Sequence, residues 1–453
     1  MEFDRRYLLV FLLFFIVGLF LMAFFSTEII FHDTPEYIEV TKGLAGYTTK
    51  GIYTTHSFVY SFFVAQFVKL FPSFLTIKVL NLSWLVLTSL LLYFFFRDKR
   101  AFLLWVFSPL VWTLSIQYSP VLPASFFVFL MYVMFVRWES TNKRSYFVVS
   151  ALSGGLAFSL YEPVLIILAF FMLSFFFRKS FLSALLFVLL MLPTFAVRLL
   201  VDYHITGFPI YSLIRYFGTN TAVILGLNQG TKGFLHGLFF PQAYMIIFII
   251  APLLFLFYRV DFSKNKALIL FVLLNSLFFF VRGGLIKYFL LFTPFIFLLL
   301  GPVMKKKAWV INSVLSVFII VLLLYPHFGP DPYVSVNREM LQIRSEFPSD
   351  KYIDGADLNL YLWDNSYSFY RLEEYFYAVE GKDYSSNYRV VVPNKGLDLF
   401  QVLELNAVLR LTYKEDVLFS PLIVRKGWKP LENFELGKCY DYLCVYTKVK
   451  NEV

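Results

Sequence analysis

His32, Asp33, Glu36 and Glu39 fall within eight positions of one another in the stretch IIFHDTPEYIEV, residues 29–40. Three carboxylates and an imidazole packed so closely are a means of moving or holding protons. A carboxylate acts as a general base when it reaches the proton it takes and partial burial raises its pKa. Asp33 is the candidate for that role. It is also a good helix-start signal, because Pro35 follows two positions on and Glu36 three, at the N3 place of a capping box. The two roles are compatible. Glu36 caps that helix or holds a polar ligand. Glu39, a turn further on, faces solvent or a basic partner. His32 either tunes Asp33 electrostatically, binds an anion, or is a plain surface side chain.

The elements that must position this cluster are apolar. The chain of 453 residues is 59% hydrophobic and 15% charged, with 58 Phe. Apolar runs of about 17–22 residues recur, each long enough to cross a hydrocarbon core of about 30 Å as a helix. Helices satisfy their own backbone groups in lipid, so a helical membrane domain is the economical fold. Eleven spans are read at 7–25, 77–96, 101–118, 121–136, 145–160, 163–177, 181–200, 236–258, 266–281, 285–303 and 308–326. The first follows Arg5 and Arg6 but is too long for a usual signal sequence and lacks a small-residue cleavage site, so it reads as retained.

Basic loops fix the orientation. RDKR 97–100, RWESTNKR 137–144, RK 178–179, YRVDFSKNK 258–266 and KKK 305–307 alternate with loops poor in Lys and Arg. By the positive-inside rule these loops and the N-terminus lie in the cytoplasm. The alternation holds only if 57–71, SFFVAQFVKLFPSFL, does not cross, and an interfacial helix suits it. Asp33, His56, Tyr118, Glu162, the 201–235 loop, Arg282, Lys287 and the C-terminal segment then share the outer face. The net charge of +10 is topology-setting charge in short loops, not a phosphate groove, so nucleic acid is not an expected partner.

After Pro326 the composition changes. HFGPDP 327–332 reads as a linker. NREMLQIRSEF 337–347 and LDLFQVLELNAVLR 397–410 read as helices, and YRVVVP 388–393 and YLCVYTKV 442–449 as strands. The expected architecture is mainly α: a polytopic helical membrane module over 1–328, with an outer loop at 26–76, and a small extracytoplasmic α/β domain over 329–453. Cys439 and Cys444 are the only cysteines. They exclude a Cys-based metal cluster and permit one local disulfide if that end lies outside the cell.

The order of motifs resembles the integral-membrane glycosyltransferases of the GT-C fold, especially those related to protein O-mannosyltransferases and aminoarabinose transferases. Asp33 and Tyr37 in DTPEY match that family's first outer loop. His56 and Tyr60 in HSFVY match its following basic and aromatic positions, with Ser57 and Phe58 where prolines are usual. SPLVWTLSIQYSP 108–120, GGLAFSLYEPVLII 154–167, VRLLVDYHITGFPIYS 197–212 and IKYFLLFTPFIFLLL 286–300 match later segments. Tyr161 stands where Arg is common. The resemblance covers residues 1–330.

That resemblance implies transfer of a sugar from a polyprenyl (dolichyl)-phosphate donor, held in membrane lipid, to a glycan, lipid or protein acceptor on the outer face. Asp33 is then the general base. His56, Arg198, Arg215, Arg282 and Lys287 are candidates for the donor phosphate, since Arg offers a bidentate fork to phosphate oxygens. Their alternative role is headgroup contact or snorkelling. His32, Glu36, Tyr37, Tyr60, Glu162, Asp202 and His204 are candidates for acceptor or sugar. Glu162 could equally pair with Arg198. A divalent metal on Asp33, Glu162 and Asp202 is chemically possible, but the relatives work without one, so no cofactor is expected. Two other readings compete: a transporter or flippase of lipid-linked glycans, which would favour repeats and midplane charges, and a non-catalytic assembly protein.

Overall fold

The computed structural model describes residues 34–47, 56–96, 99–115, 117–177, 181–224, 262–281, 286–324, 333–349, 352–354, 362–363, 369–371, 421–427 and 434–448, with Ile16 and Gly18 alone in the first run. The spans read at 7–25 and 236–258, the strand at 388–393, the helix at 397–410, and His32, Asp33 and Arg282 lie outside the described residues.

The helices run in chain order as α1 Thr34–Ala45, α2 Val59–Leu70, α3 Phe74–Phe96, α4 Lys99–Val106 and α5 Pro109–Ser115. There follow α6 Val121–Thr141, α7 Arg144–Leu160, α8 Val164–Phe177, α9 Phe181–Thr206 and α10 Tyr211–Ile224. The last are α11 Phe262–Val281, α12 Ile286–Phe289, α13 Thr293–Leu300, α14 Lys306–Leu324 and α15 Tyr333–Glu346. Helices α3, α6 and α9 are long and apolar enough to cross a membrane. Helix α9 turns Leu182, Leu185, Leu186, Leu189 and Leu192 outward, the pattern of a lipid-facing side.

Helix α1 begins directly after Asp33, where DTPE predicts a start. Helix α2 has 12 residues, about 18 Å of rise, and so is too short to cross the hydrocarbon layer. It buries Val59, Tyr60, Ser61, Val64, Ala65 and Val68 and exposes Phe63, Phe67 and Leu70.

Two spans read as continuous are broken. The run 101–118 is two short helices, α4 and α5, parted at Phe107 and Ser108. Pro109 has no N–H to give and disfavours helical geometry at Ser108. The run 285–303 is likewise α12 and α13, the second carrying Pro294 in its first turn, where proline is favoured. In the gap, Ser125 Oγ of α6 donates to Leu290 O at 2.8 Å, satisfying a carbonyl that the break releases.

Helices α7 and α9 touch backbone to backbone. A Cβ on Gly155 would run into Met191 O and Thr194 Oγ1, so only glycine fits there. Thr194 Oγ1 donates to Leu152 O at 3.0 Å, and Ser159 Oγ donates to Thr194 O at 3.0 Å. This close seam brings the end of α7 beside the later turns of α9.

The C-terminal part has its own apolar cluster. Strands β1 Tyr352–Asp354, β2 Phe369–Arg371, β3 Leu422–Arg425, β4 Phe434–Cys439 and β5 Leu443–Lys448 form one sheet in the order β2-β1-β3-β5-β4. The β1 pairings are parallel; β3 with β5 and β4 with β5 are antiparallel. Val336, Met340 and Ile343 of α15 pack on Tyr352, Ile423 and Val445 of the sheet. The Glu339 carboxylate accepts from the Tyr442 and Leu443 amides, at 3.1 and 3.0 Å. Cys439 and Cys444 face each other across the β4–β5 hairpin and are joined by a disulfide.

Candidate functional site

Four pieces of chain meet at the end of α7. Helix α7 stops at Leu160, and Glu162 lies in the turn before α8. Pro163 sets that stop, because the residue before a proline is pushed out of helical geometry. Arg198 and Asp202 come from α9 and Ser212 from α10. Arg198 and Asp202 stand four positions apart and therefore share a helix face. The segment at His56 is fastened to the end of α7 by Ser57 Oγ, which donates to Ser159 O at 2.5 Å.

These side chains form one buried polar chain. Arg198 Nη2 donates to Glu162 Oε1 at 2.6 Å. Arg198 Nε and Nη2 also donate to Ser212 Oγ, at 3.0 and 2.7 Å. The Ser212 hydroxyl and amide both donate to Asp202 Oδ2, at 2.7 and 2.9 Å. Asp202 thereby satisfies a first-turn N–H of α10. Arg198 and Asp202 are fully buried and Glu162 is 1% exposed. His56 Nδ1 lies 3.7 Å from Glu162 Oε2, an ion-pair distance too long for a hydrogen bond. Burial by itself would raise the Glu162 carboxyl, but the adjoining Arg198 guanidinium holds it below its ordinary value.

Aromatic rings enclose the histidine. Tyr37 and Tyr216 have ring centres 5.4 and 5.9 Å from His56. Tyr118, 6.1 Å from Tyr37, ties the start of α1 in place: its carbonyl accepts from Thr34 Oγ1 at 3.2 Å and its hydroxyl bonds to Thr41. Lys287, 6% exposed, stands beside Tyr288, whose ring centre is 6.2 Å from that of Tyr161, the neighbour of Glu162. Glu162 Oε2, Arg198 Nη1 and Asp202 Oδ1 accept or donate no hydrogen bond among the described residues. They are polar atoms with capacity left for a ligand.

The structure brings together His56, Glu162, Arg198, Asp202 and Tyr37, with Lys287 one aromatic pair away. It places others elsewhere. His204 is exposed and meets Phe62 edge-on. It is two positions from Asp202, about 200° around the helix, so the two cannot serve one point. Tyr60 is buried, its hydroxyl donating to Asn81 Oδ1 at 3.0 Å. Arg215 is half-buried on α10 and Glu36 half-buried on α1. Among the described residues no three His, Cys, Asp or Glu side chains gather as metal ligands; Arg198 and Ser212 stand between the Glu162 and Asp202 carboxylates. Ser212, Tyr216, Asn81 and the buried Lys42 and Lys78 are not singled out by sequence, which has no distinctive spacing around them.

Neither a family model nor a curated protein matches this sequence. Solved structures match from end to end. ArnT from Cupriavidus metallidurans, bound to undecaprenyl phosphate, superposes with a TM-score of 0.60 over 99% of both chains, at 12% identity. The chain has the ArnT fold. ArnT in the apo state superposes with a TM-score of 0.57 over 98% of both chains, also at 12% identity. ArnT is an aminoarabinose transferase of the GT-C class, one of the two relatives to which the loop motifs point. The match covers 99% of this chain and so extends into its C-terminal part. At this identity ArnT supplies the fold and no residue roles.

Proposed function

We propose that this chain is a membrane glycosyltransferase that moves a sugar from a polyprenyl-phosphate carrier to an acceptor on the outer face. The observation that carries the reading is the full-length likeness to ArnT, one of whose structures contains undecaprenyl phosphate. The buried cluster of His56, Glu162 and Arg198 supports it, because a phosphorylated lipid needs fixed cations where its head leaves the bilayer.

In this reading the acceptor hydroxyl oxygen attacks the anomeric carbon. The bond from that carbon to the phosphate oxygen breaks, and its electron pair stays on the phosphate. Asp33 takes the hydroxyl proton. His56 and Lys287 meet the developing phosphate charge, with Arg282 and Arg215 as further cations. Arg198 contributes chiefly by holding Glu162, and its Nη1 is the part of the fork left for an oxygen of donor or sugar. Glu162 Oε2 and Tyr37 are the acceptors and wall for sugar hydroxyls. A phosphate monoester leaves readily when cations surround it, so the reading requires no metal. The C-terminal domain, the catalytic loop and the acceptor share the outer side.

The test is transfer in liposomes containing the purified full-length protein, with a series of labelled polyprenyl-phosphate sugars differing in the sugar. Label should leave the lipid for an added glycan, lipid or peptide acceptor, or for water. Movement of intact lipid-linked sugar across the bilayer, with no bond broken for any donor, would replace this reading with a flippase.

A further inference from the structure

Leu362 and Trp363 are adjacent in sequence yet belong to different apolar cores. Leu362 packs with α15 and the sheet. Trp363, 7% exposed, packs with the helical part. Its ring centre is 5.8 Å from that of Tyr47, edge-on, and 5.4 Å from that of Phe74. Lys42 Nζ stands 5.4 Å from the same ring, and Lys42 is itself only 2% exposed. Aromatic edges and a desolvated cation over an indole are attractive contacts of fixed geometry.

Two of the three partners belong to the end of one helix. Lys42 lies in the last turn of α1, Tyr47 just beyond its end, and Phe74 opens α3. Helix α1 has 12 residues, too short to hold its shape without tertiary contacts. At its start, Thr34 is held by the Tyr118 carbonyl. Along its flank, Ser61 Oγ of α2 donates to Tyr37 O at 3.4 Å. Its far end rests on a residue delivered by the C-terminal part.

We propose that Trp363 is a positioning residue: the C-terminal part clamps the end of α1 through its indole, and so sets the opening turn of α1, where Asp33 precedes Thr34 and Tyr37 meets His56. The catalytic consequence rests on the glycosyltransferase reading; the clamp itself does not. The C-terminal part is in this view a component of the reaction site's frame.

The experiment is hydrogen exchange on the full-length protein in lipid, with Trp363→Ala, Trp363→Phe and Lys42→Met, beside transfer kinetics. Amides of α1 in Trp363→Ala should exchange about tenfold faster, while those of α2 and α6 keep their protection. Phe keeps an aromatic edge against Tyr47 and Phe74, so Trp363→Phe should restore most of the protection, and Lys42→Met should give an intermediate loss. The kcat for transfer should fall by about tenfold in Trp363→Ala with KM for the lipid donor within about twofold. Unchanged exchange in α1 would overturn the clamp, as would equal loosening of α1, α2 and α6. If Trp363→Ala fails to accumulate, Trp363→Phe and Lys42→Met decide the same point. A wild-type protein that breaks no glycosyl bond removes the glycosyltransferase reading and leaves the exchange result to judge the clamp.

Discussion

Glu162 and Arg198 are 36 positions apart in sequence and meet at 2.6 Å, Oε1 to Nη2, with no solvent exposure on either side chain. A buried pair of this kind is held by the cost of leaving either charge alone, more than by its own attraction. Removing one partner should therefore be harmful. Arg198→Met or Glu162→Gln should each lower stability by about 3–5 kcal/mol. The double variant Glu162→Gln with Arg198→Met should recover a good part of that loss, because no unpaired charge remains between the two positions. Thermal melting of the purified protein for the three variants, in a double-mutant cycle, checks this.

The seam between α7 and α9 makes an adjacent pair of glycines unequal. A Cβ at Gly155 meets the Met191 carbonyl, which is backbone and cannot yield, whereas one at Gly154 meets the end of the flexible Met131 side chain. Gly155→Ala should therefore destabilise by about 1–3 kcal/mol and Gly154→Ala by clearly less. The same melts decide it. If Gly155→Ala also lowers transfer per folded molecule, the seam sets the distance between Glu162 and Arg198.

In the proposed reaction, Asp33→Asn keeps the size of the side chain and removes the base. Turnover should fall by about 10²–10⁴, while binding of undecaprenyl phosphate is unchanged. His56→Ala should act the other way, weakening donor binding more than it slows the bound complex. Steady-state transfer with separate lipid-binding measurements distinguishes the two.

The disulfide between Cys439 and Cys444 closes a loop with a sequence separation of 5. Closing so short a loop removes little freedom from the unfolded chain, and about 2 kcal/mol is expected by loop-closure entropy. Reduction, or Cys439→Ser with Cys444→Ser, should loosen β4 and β5 and leave the helical part folded. Hydrogen exchange resolved by segment reads this directly.

On the same hairpin, Lys438 Nζ donates to both Glu346 oxygens, at 2.7 and 2.6 Å. This holds the exposed Glu346 carboxyl below its ordinary value of 4.5. A carboxyl with a depressed folded pKa adds stability that is present above its unfolded pKa and is lost as pH falls through the folded one. Lys438→Met should therefore lower the melting temperature slightly at neutral pH, and the difference from the unsubstituted protein should shrink and vanish as pH falls below about 4.5. Melting temperatures across that range test the sign.

Much of this arrangement was legible in one dimension because the bilayer and the backbone constrain it locally. The length of α2 excludes a crossing, and DTPE marks the start of α1 through capping chemistry. Arg198 and Asp202 lie four apart, which alone puts them on one face of α9. The breaks at Pro109 and Pro294 were also written in the chain, yet hydropathy averaged over a span conceals them, because a proline inside an apolar window hardly changes its mean. Ser212 was not legible. A serine carries no signal until a fold brings it between a guanidinium and a carboxylate.

Sequence by itself determined that this is a chain of apolar helices with most of its Lys and Arg in the loops, since helix length and loop charge act over a few residues, and the order of its loop motifs resembles the GT-C glycosyltransferases. Tertiary structure decided which polar groups meet. His56, Glu162, Arg198 and Ser212 come from four separate segments, and nothing local dictates that Glu162 faces Arg198 instead of solvent. That choice belongs to the α7–α9 seam, where a missing side chain at Gly155 lets two backbones approach until a buried charge finds its partner.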